Sequence, residues 1–153
     1  MSAFIPSTNP AADAPEAVAN DGWFPDLNLA DFHAQTGQGD TFDPARIAAA
    51  IQSAMIEVNA SIGAWRARQT AASLAEVPAR TYGEVSEKLI LYRAAVFARA
   101  RAQLLANTRD YDSTKSGHAR ADTLEATAAD YLRQSNEAVA RLIDRRRTVV
   151  ELI

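Results

Sequence analysis

The chain contains no cysteine, which excludes a disulfide framework, thiolate zinc sites, iron–sulfur clusters and cysteine nucleophiles in one step. Histidine occurs only at His33 and His118, so metal ligands and imidazole bases are in short supply. Long apolar runs are also missing. The stretch Leu89–Tyr92 is typical of the longest, far below the roughly 18 residues of a membrane span. The N-terminus lacks a basic region before an apolar one, so the chain is expected to stay in the compartment where it is made. Lys and Arg are absent from residues 1–43, which hold seven acidic residues, while the rest of the chain carries all 16 basic residues against 12 acidic ones. Glycine is scarce, at 6 of 153 residues, whereas alanine supplies 33. Alanine is the strongest helix former, and an all-α fold follows as the expectation. At 48% hydrophobic and 23% charged, the composition is that of one soluble globular domain.

Residues 1–22 contain Pro6, Pro10 and Pro15 and few large apolar side chains, which predicts a flexible acidic arm. The run Trp23-Phe24-Pro25-Asp26-Leu27-Asn28-Leu29 gathers large apolar side chains around a proline. The proline pushes Phe24 out of the helical region, and an extended anchor is expected that covers either the core of its own subunit or a subunit interface. Asp43-Pro44 opens a helix expected to reach Arg68, with Ile47, Ile51, Met55, Val58, Ile62 and Trp65 on one stripe. Thr81 and Glu84 have capping-box spacing for a second long helix, expected to reach Asn107. Its stripe runs Val85, Leu89, Tyr92, Val96, Ala100 and Leu104, with Ile90, Phe97 and Leu105 widening the apolar surface. Asp110–His118 is expected to be a loop. A third helix then carries Leu124, Ala128, Tyr131, Ser135, Ala138 and Leu142 at spacings of three and four, with Leu132, Val139 and Ile143 on a second face. The predicted fold is therefore all-α, three long helices in a bundle (23–147) between the arm and a short extended C-terminal tail (148–153). That tail, Thr148-Val149-Val150-Glu151-Leu152-Ile153, has strand composition. A helical body offers no sheet to satisfy a lone strand, so the tail is expected to pair with another chain or to pack as coil on its own helices.

Chemistry-bearing motifs do not assemble. Tyr111 and Lys115 have Tyr-x-x-x-Lys spacing without a preceding nucleotide-binding turn, and Gly37-Gln38-Gly39 lacks both its strand and its third glycine. Asp26, Asp31 and His33 read as structural rather than metal-binding. Asn59-Ala60-Ser61 is a sequon inside a predicted helix. No catalytic, cofactor or metal residue is assigned. Arg93, Arg99, Arg101 and Arg109 decorate the second helix, and Arg145, Arg146 and Arg147 end the third. Arg141 and Arg145–Arg147 support an alternative reading, a small helical nucleic-acid-binding module, against which stands a sequence pI of about 5.4.

Three stretches taken in order carry a family likeness: Trp23 to Leu27, the loop from Tyr111-Asp112 to Gly117 with Ala119 and Arg120 after it, and Arg147 to Ile153. Together they resemble the head completion and stabilisation proteins (gpL family) of contractile-tailed temperate phages. The resemblance implies a helical adaptor without catalytic residues or cofactors. Such an adaptor binds the portal vertex after DNA packaging, retains the genome and presents a surface to further connector or tail proteins. It implies copies in a ring, dodecameric when docked, a place in the virion, assembly in the host cytoplasm and no membrane. In that setting Trp23, Phe24, Leu27, Val149, Val150, Leu152 and Ile153 are the expected partner contacts. Strand addition of the tail to a neighbouring chain, the portal first, is the expected docking mode. Arg93, Arg99 and Arg101 are the residues expected to face packaged DNA, by non-specific phosphate attraction.

Overall fold

The structure is a computed structural model that describes residues 16–37, 42–109 and 115–145, with side chains outside 108–126. It is mostly helical, with two small antiparallel ladders. Strand β1 (Ala17–Val18) pairs with β2 (Leu27–Asn28), which runs into α1 (Leu29–Thr36). The long α2 (Pro44–Ser61) is followed by the single turn α3 (Gly63–Arg66). After a 3-10 turn at Leu74–Glu76, β3 (Thr81–Tyr82) and β4 (Val85–Ser86) form a hairpin leading into α4 (Glu87–Arg109). The last helix is α5 (Lys115–Leu142).

Helix α2 starts as its residues require: the Asp43 carboxylate accepts from the Ala45 amide at 2.8 Å, and Pro44 takes the first position, where no donor is needed. All six residues of its predicted stripe are buried. The helix stops short of Arg68, however. Ile62 leaves helical geometry ahead of Gly63, a residue that costs about 1 kcal/mol in a helix relative to Ala, and only the turn α3 follows. Helix α4 is central, packing against α5 along its length and against α2 on another side. Tyr92, Val96, Phe97, Ala100 and Leu104 fill this double interface, and Ser135, Ala138 and Leu142 meet them from α5.

Four expectations are corrected. Thr81 and Glu84 do not cap a helix: they belong to the hairpin, whose turn residues Gly83 and Glu84 have φ of 54° and 65°, the left-handed pair that a two-residue type I′ connection demands. Val85 therefore sits in β4, 37% exposed, rather than in the core. Lys115–His118 belong to α5, not to a loop. Residues 29–36, which the sequence pattern assigned to no element, form α1, which ends where Gly37 takes the left-handed conformation. The packed body also begins inside the segment read as an arm, since Val18 is buried in β1 and Leu29 N donates to Glu16 O. The tail 148–153 lies outside the described residues, as does the arm up to residue 15.

Candidate interaction surfaces

The aromatic anchor is built by a local turn. Asp21 Oδ1 accepts from the amides of Trp23 and Phe24, both at 3.1 Å, and its other oxygen pairs with Arg66 on α3. Desolvation raises the carboxyl's pKa, yet these two amides and the guanidinium together hold it below the usual aspartate value. Arg66 also lies over both rings, 5.1 Å from the Trp23 centroid and 5.3 Å from that of Phe24. Phe24 stacks on Tyr92 at 4.8 Å, and the Trp23 indole donates to Ala71 O at 3.0 Å. Phe24 is 2% and Leu27 1% exposed. Both belong to the core of their own subunit, the first of the two placements expected for the anchor. Only the half-buried Trp23 retains an accessible rim.

Under this anchor lies a closed polar triangle. Asn20 Nδ2 donates to the Tyr92 hydroxyl (2.8 Å), the hydroxyl donates to Asn59 Oδ1 (2.7 Å), and Asn59 Nδ2 donates to Asn20 Oδ1 (3.0 Å). It ties the N-terminal segment to α2 and α4 at once. Sequence reasoning missed Asn20 and Asn59 because isolated asparagines carry no periodic signal.

The three arginines expected to face DNA separate by environment. Arg99 is engaged with its own chain: Nη1 pairs with Glu57 of α2 at 2.7 Å, Nη2 donates to Asn136 at 2.8 Å and Nε to Ser135 at 3.3 Å, both on α5. It clamps three helices together, so its donors serve the fold of its own chain. Arg93 is 3.7 Å from Asp31, with its side chain 40% exposed and Nε unpartnered. Arg101 lies over the Tyr131 ring at 5.3 Å with Nε and Nη1 unpartnered. Arg141 and Arg145 are exposed on the surface, while the side chain of Arg109 and residues Arg146 and Arg147 lie outside the described residues.

At the exit of α5, Lys88 is 5% exposed. Its ammonium donates to Leu142 O at 2.6 Å and to Asp144 Oδ2 at 2.8 Å, and it lies 5.6 Å from the Trp65 ring centroid. Asp144 has φ 55°, and its amide bonds to Arg141 O while that of Arg145 bonds to Ala140 O, the paired 5→2 and 6→1 bonds of a Schellman stop. The end of α5 is thus held by a buried lysine that no motif announces. Val149, Val150, Leu152 and Ile153 lie outside the described residues. Beside this exit the body does carry a sheet, the β3–β4 hairpin, correcting the expectation that it offers none. The pattern Thr-Tyr-Gly-Glu-Val, strand formers on both sides of a glycine-containing turn, was the available signal. Large apolar side chains left on the surface are Ile56 (66% exposed), Tyr82 (55%), Leu132 (40%), Val85 and Ile90. Among the described residues no three His, Asp or Glu side chains converge as metal ligands, and no helix is long and apolar enough to cross a membrane.

The comparisons agree with one another. The model of the phage head completion protein (GPL) family matches residues 18–153. The head completion/stabilization protein of Escherichia phage P2 is 34% identical over 147 residues, covering 94% of this chain and 86% of that protein. No solved structure matches.

Proposed function

The chain belongs to the phage head completion protein family and is a structural protein of the virion, not an enzyme; from that premise we propose that it docks on the portal vertex once DNA is packaged, retains the genome and presents the tail-attachment surface. It does so as a ring of copies, dodecameric when docked, assembled in the host cytoplasm. The observation that carries the reading is the family match over 18–153, together with a body that leaves Ile56, Tyr82, Val85, Ile90 and Leu132 uncovered. Such side chains suit contacts between small subunits that persist only on a template. Val149, Val150, Leu152 and Ile153 are contacts to a neighbouring chain in this reading, with the rim of Trp23 as a further one. Non-specific DNA contact falls to Arg93, whose side chain is 40% exposed, and to Arg101, rather than to Arg99, which is engaged with Glu57 and Asn136 of its own chain. Electron microscopy of the protein mixed with the portal of the same phage tests the proposal. A ring on one face of the portal is expected, and failure to co-migrate overturns it.

A further inference from the structure

The hairpin has one open edge. Glu87 N donates to Arg80 O at 2.8 Å, and the Tyr82↔Val85 and Thr81↔Ser86 register turns the main chain of Arg80 and Tyr82 toward β4. By the alternation of an antiparallel ladder, the N–H and C=O of Ala79 and Thr81 point outward. The ladder has two strands, and residues 78–82 are all exposed. On the other side β4 runs straight into α4 and offers almost no edge. Tyr82 and Val85, cross-strand neighbours on one face, stay 55% and 37% exposed. An unpaired edge beside an uncovered apolar pair is a site for an added strand.

We propose that this edge receives residues 147–153 of a second copy of the chain, paired antiparallel to β3, so that each subunit donates its C-terminal strand to the next. The inference rests on the proposed assembly of several copies and names the contact that joins them. Charge selects the occupant. Antiparallel pairing that sets Glu151 opposite Arg80 also carries Arg147 past the turn that holds Glu84. The same register puts Val149 beside Tyr82 and Val150 against the outward main chain of Thr81. Ile153 then lies beside Pro78, one residue past the outward main chain of Ala79. The chain's own tail fits the edge poorly. A tail that continued the direction of α5 from Asp144, which Lys88 holds at the base of the hairpin, would run parallel to β3. That direction would set Arg145–Arg147 along Arg80 and bring Glu151 toward Glu84, placing like charges together. A head-to-tail contact of this kind closes into a ring when the rotation per subunit permits. Each added strand is short, so the contacts hold mainly by acting together around the ring.

The absence of cysteine makes the test direct. Tyr82→Cys and Val149→Cys are placed in separate full-length chains, which are mixed and oxidised both in concentrated solution and on the portal. These positions form a non-hydrogen-bonded pair, where Cβ atoms lie about 4.5–5.5 Å apart and a disulfide can close. Disulfide-linked dimers are expected, at least about tenfold more abundant than from Tyr82→Cys mixed with Val150→Cys, whose side chains point to opposite faces. Adding Thr81→Pro, which removes the outward N–H, should abolish them. Three results overturn the proposal: no adduct in either setting, equal adduct from both pairings, or a double variant that closes within one monomer at high dilution. A ring that forms on the portal without the adduct overturns strand donation while the portal reading stands. An adduct from chains that ignore the portal supports strand donation and overturns that reading.

Discussion

At the scale of single residues, the Asn20–Tyr92–Asn59 triangle makes the clearest demand. Tyr92 is fully buried, and its hydroxyl both donates and accepts, so Tyr92→Phe keeps the ring stack on Phe24 but leaves Asn20 and Asn59 each short of one partner. We expect a loss of about 1–3 kcal/mol in denaturant unfolding, with unchanged denaturant slope. Burial, first, pushes the phenol up to about 12 from 10.0; the hydrogen bond from Asn20 opposes this and the Asp21 charge adds to it. The folded state thus holds this proton more tightly than the unfolded state. The stabilisation is fully present below pH 10 and is lost as the pH rises from about 10 to about 12, by roughly 2–3 kcal/mol at about 1.36 kcal/mol per unit. Stability measured across that window should fall less steeply in Tyr92→Phe; an identical slope would place the alkaline loss elsewhere.

At the scale of elements, the end of α5 depends on a side chain from α4. Lys88→Met keeps the apolar stem against Trp65 but leaves Leu142 O without its donor, whereas Asp144, its side chain 77% exposed, returns to water at little cost. The expected destabilisation is about 1–3 kcal/mol, accompanied by faster hydrogen exchange at the amides of Ile143–Arg145, which the Schellman stop protects. Unchanged exchange there would show that the stop stands without the lysine. The hairpin is the other element with strain to report. Glu84 occupies a left-handed conformation that costs a non-glycine residue about 1–2 kcal/mol, so Glu84→Gly should raise the melting temperature of the isolated subunit. If Arg147 of the next copy passes close to Glu84 at that turn, the same change should weaken assembly, and the two readouts move in opposite directions.

For the whole molecule, the arginines distinguish holding the body together from meeting DNA. Arg99→Gln should lower stability, because it unfastens α2 and α5 from α4 together. Arg93→Gln should leave the melting temperature nearly unchanged, its ion pair being long and half exposed, while raising DNA leakage from filled heads. If Arg93→Gln heads retain DNA as well as the parent does, α4 does not face the packaged genome.

The sequence by itself determined the mainly helical class, the start and buried stripe of α2, the central packing of α4 through Tyr92, Val96 and Ala100, and, through three ordered stretches, the family. These are properties of local spacing and composition: a period near 3.6 or an Asp-Pro start acts over a few residues and needs no partner to be read. Tertiary structure alone decided the rest. Thr81–Glu84 satisfies both a capping box and a tight hairpin, and neither pattern outweighs the other locally, so it was the packing of α4 that started the helix at Glu87. Asn20 meets Asn59, and Lys88 meets Asp144, across 39 and 56 residues, separations at which no periodicity connects one residue to the other. Phe24 could be read as covering its own core or a subunit interface until Tyr92 and Arg66 closed over it, because whether an aromatic ring is anchor or interface depends on which surfaces the fold brings to it.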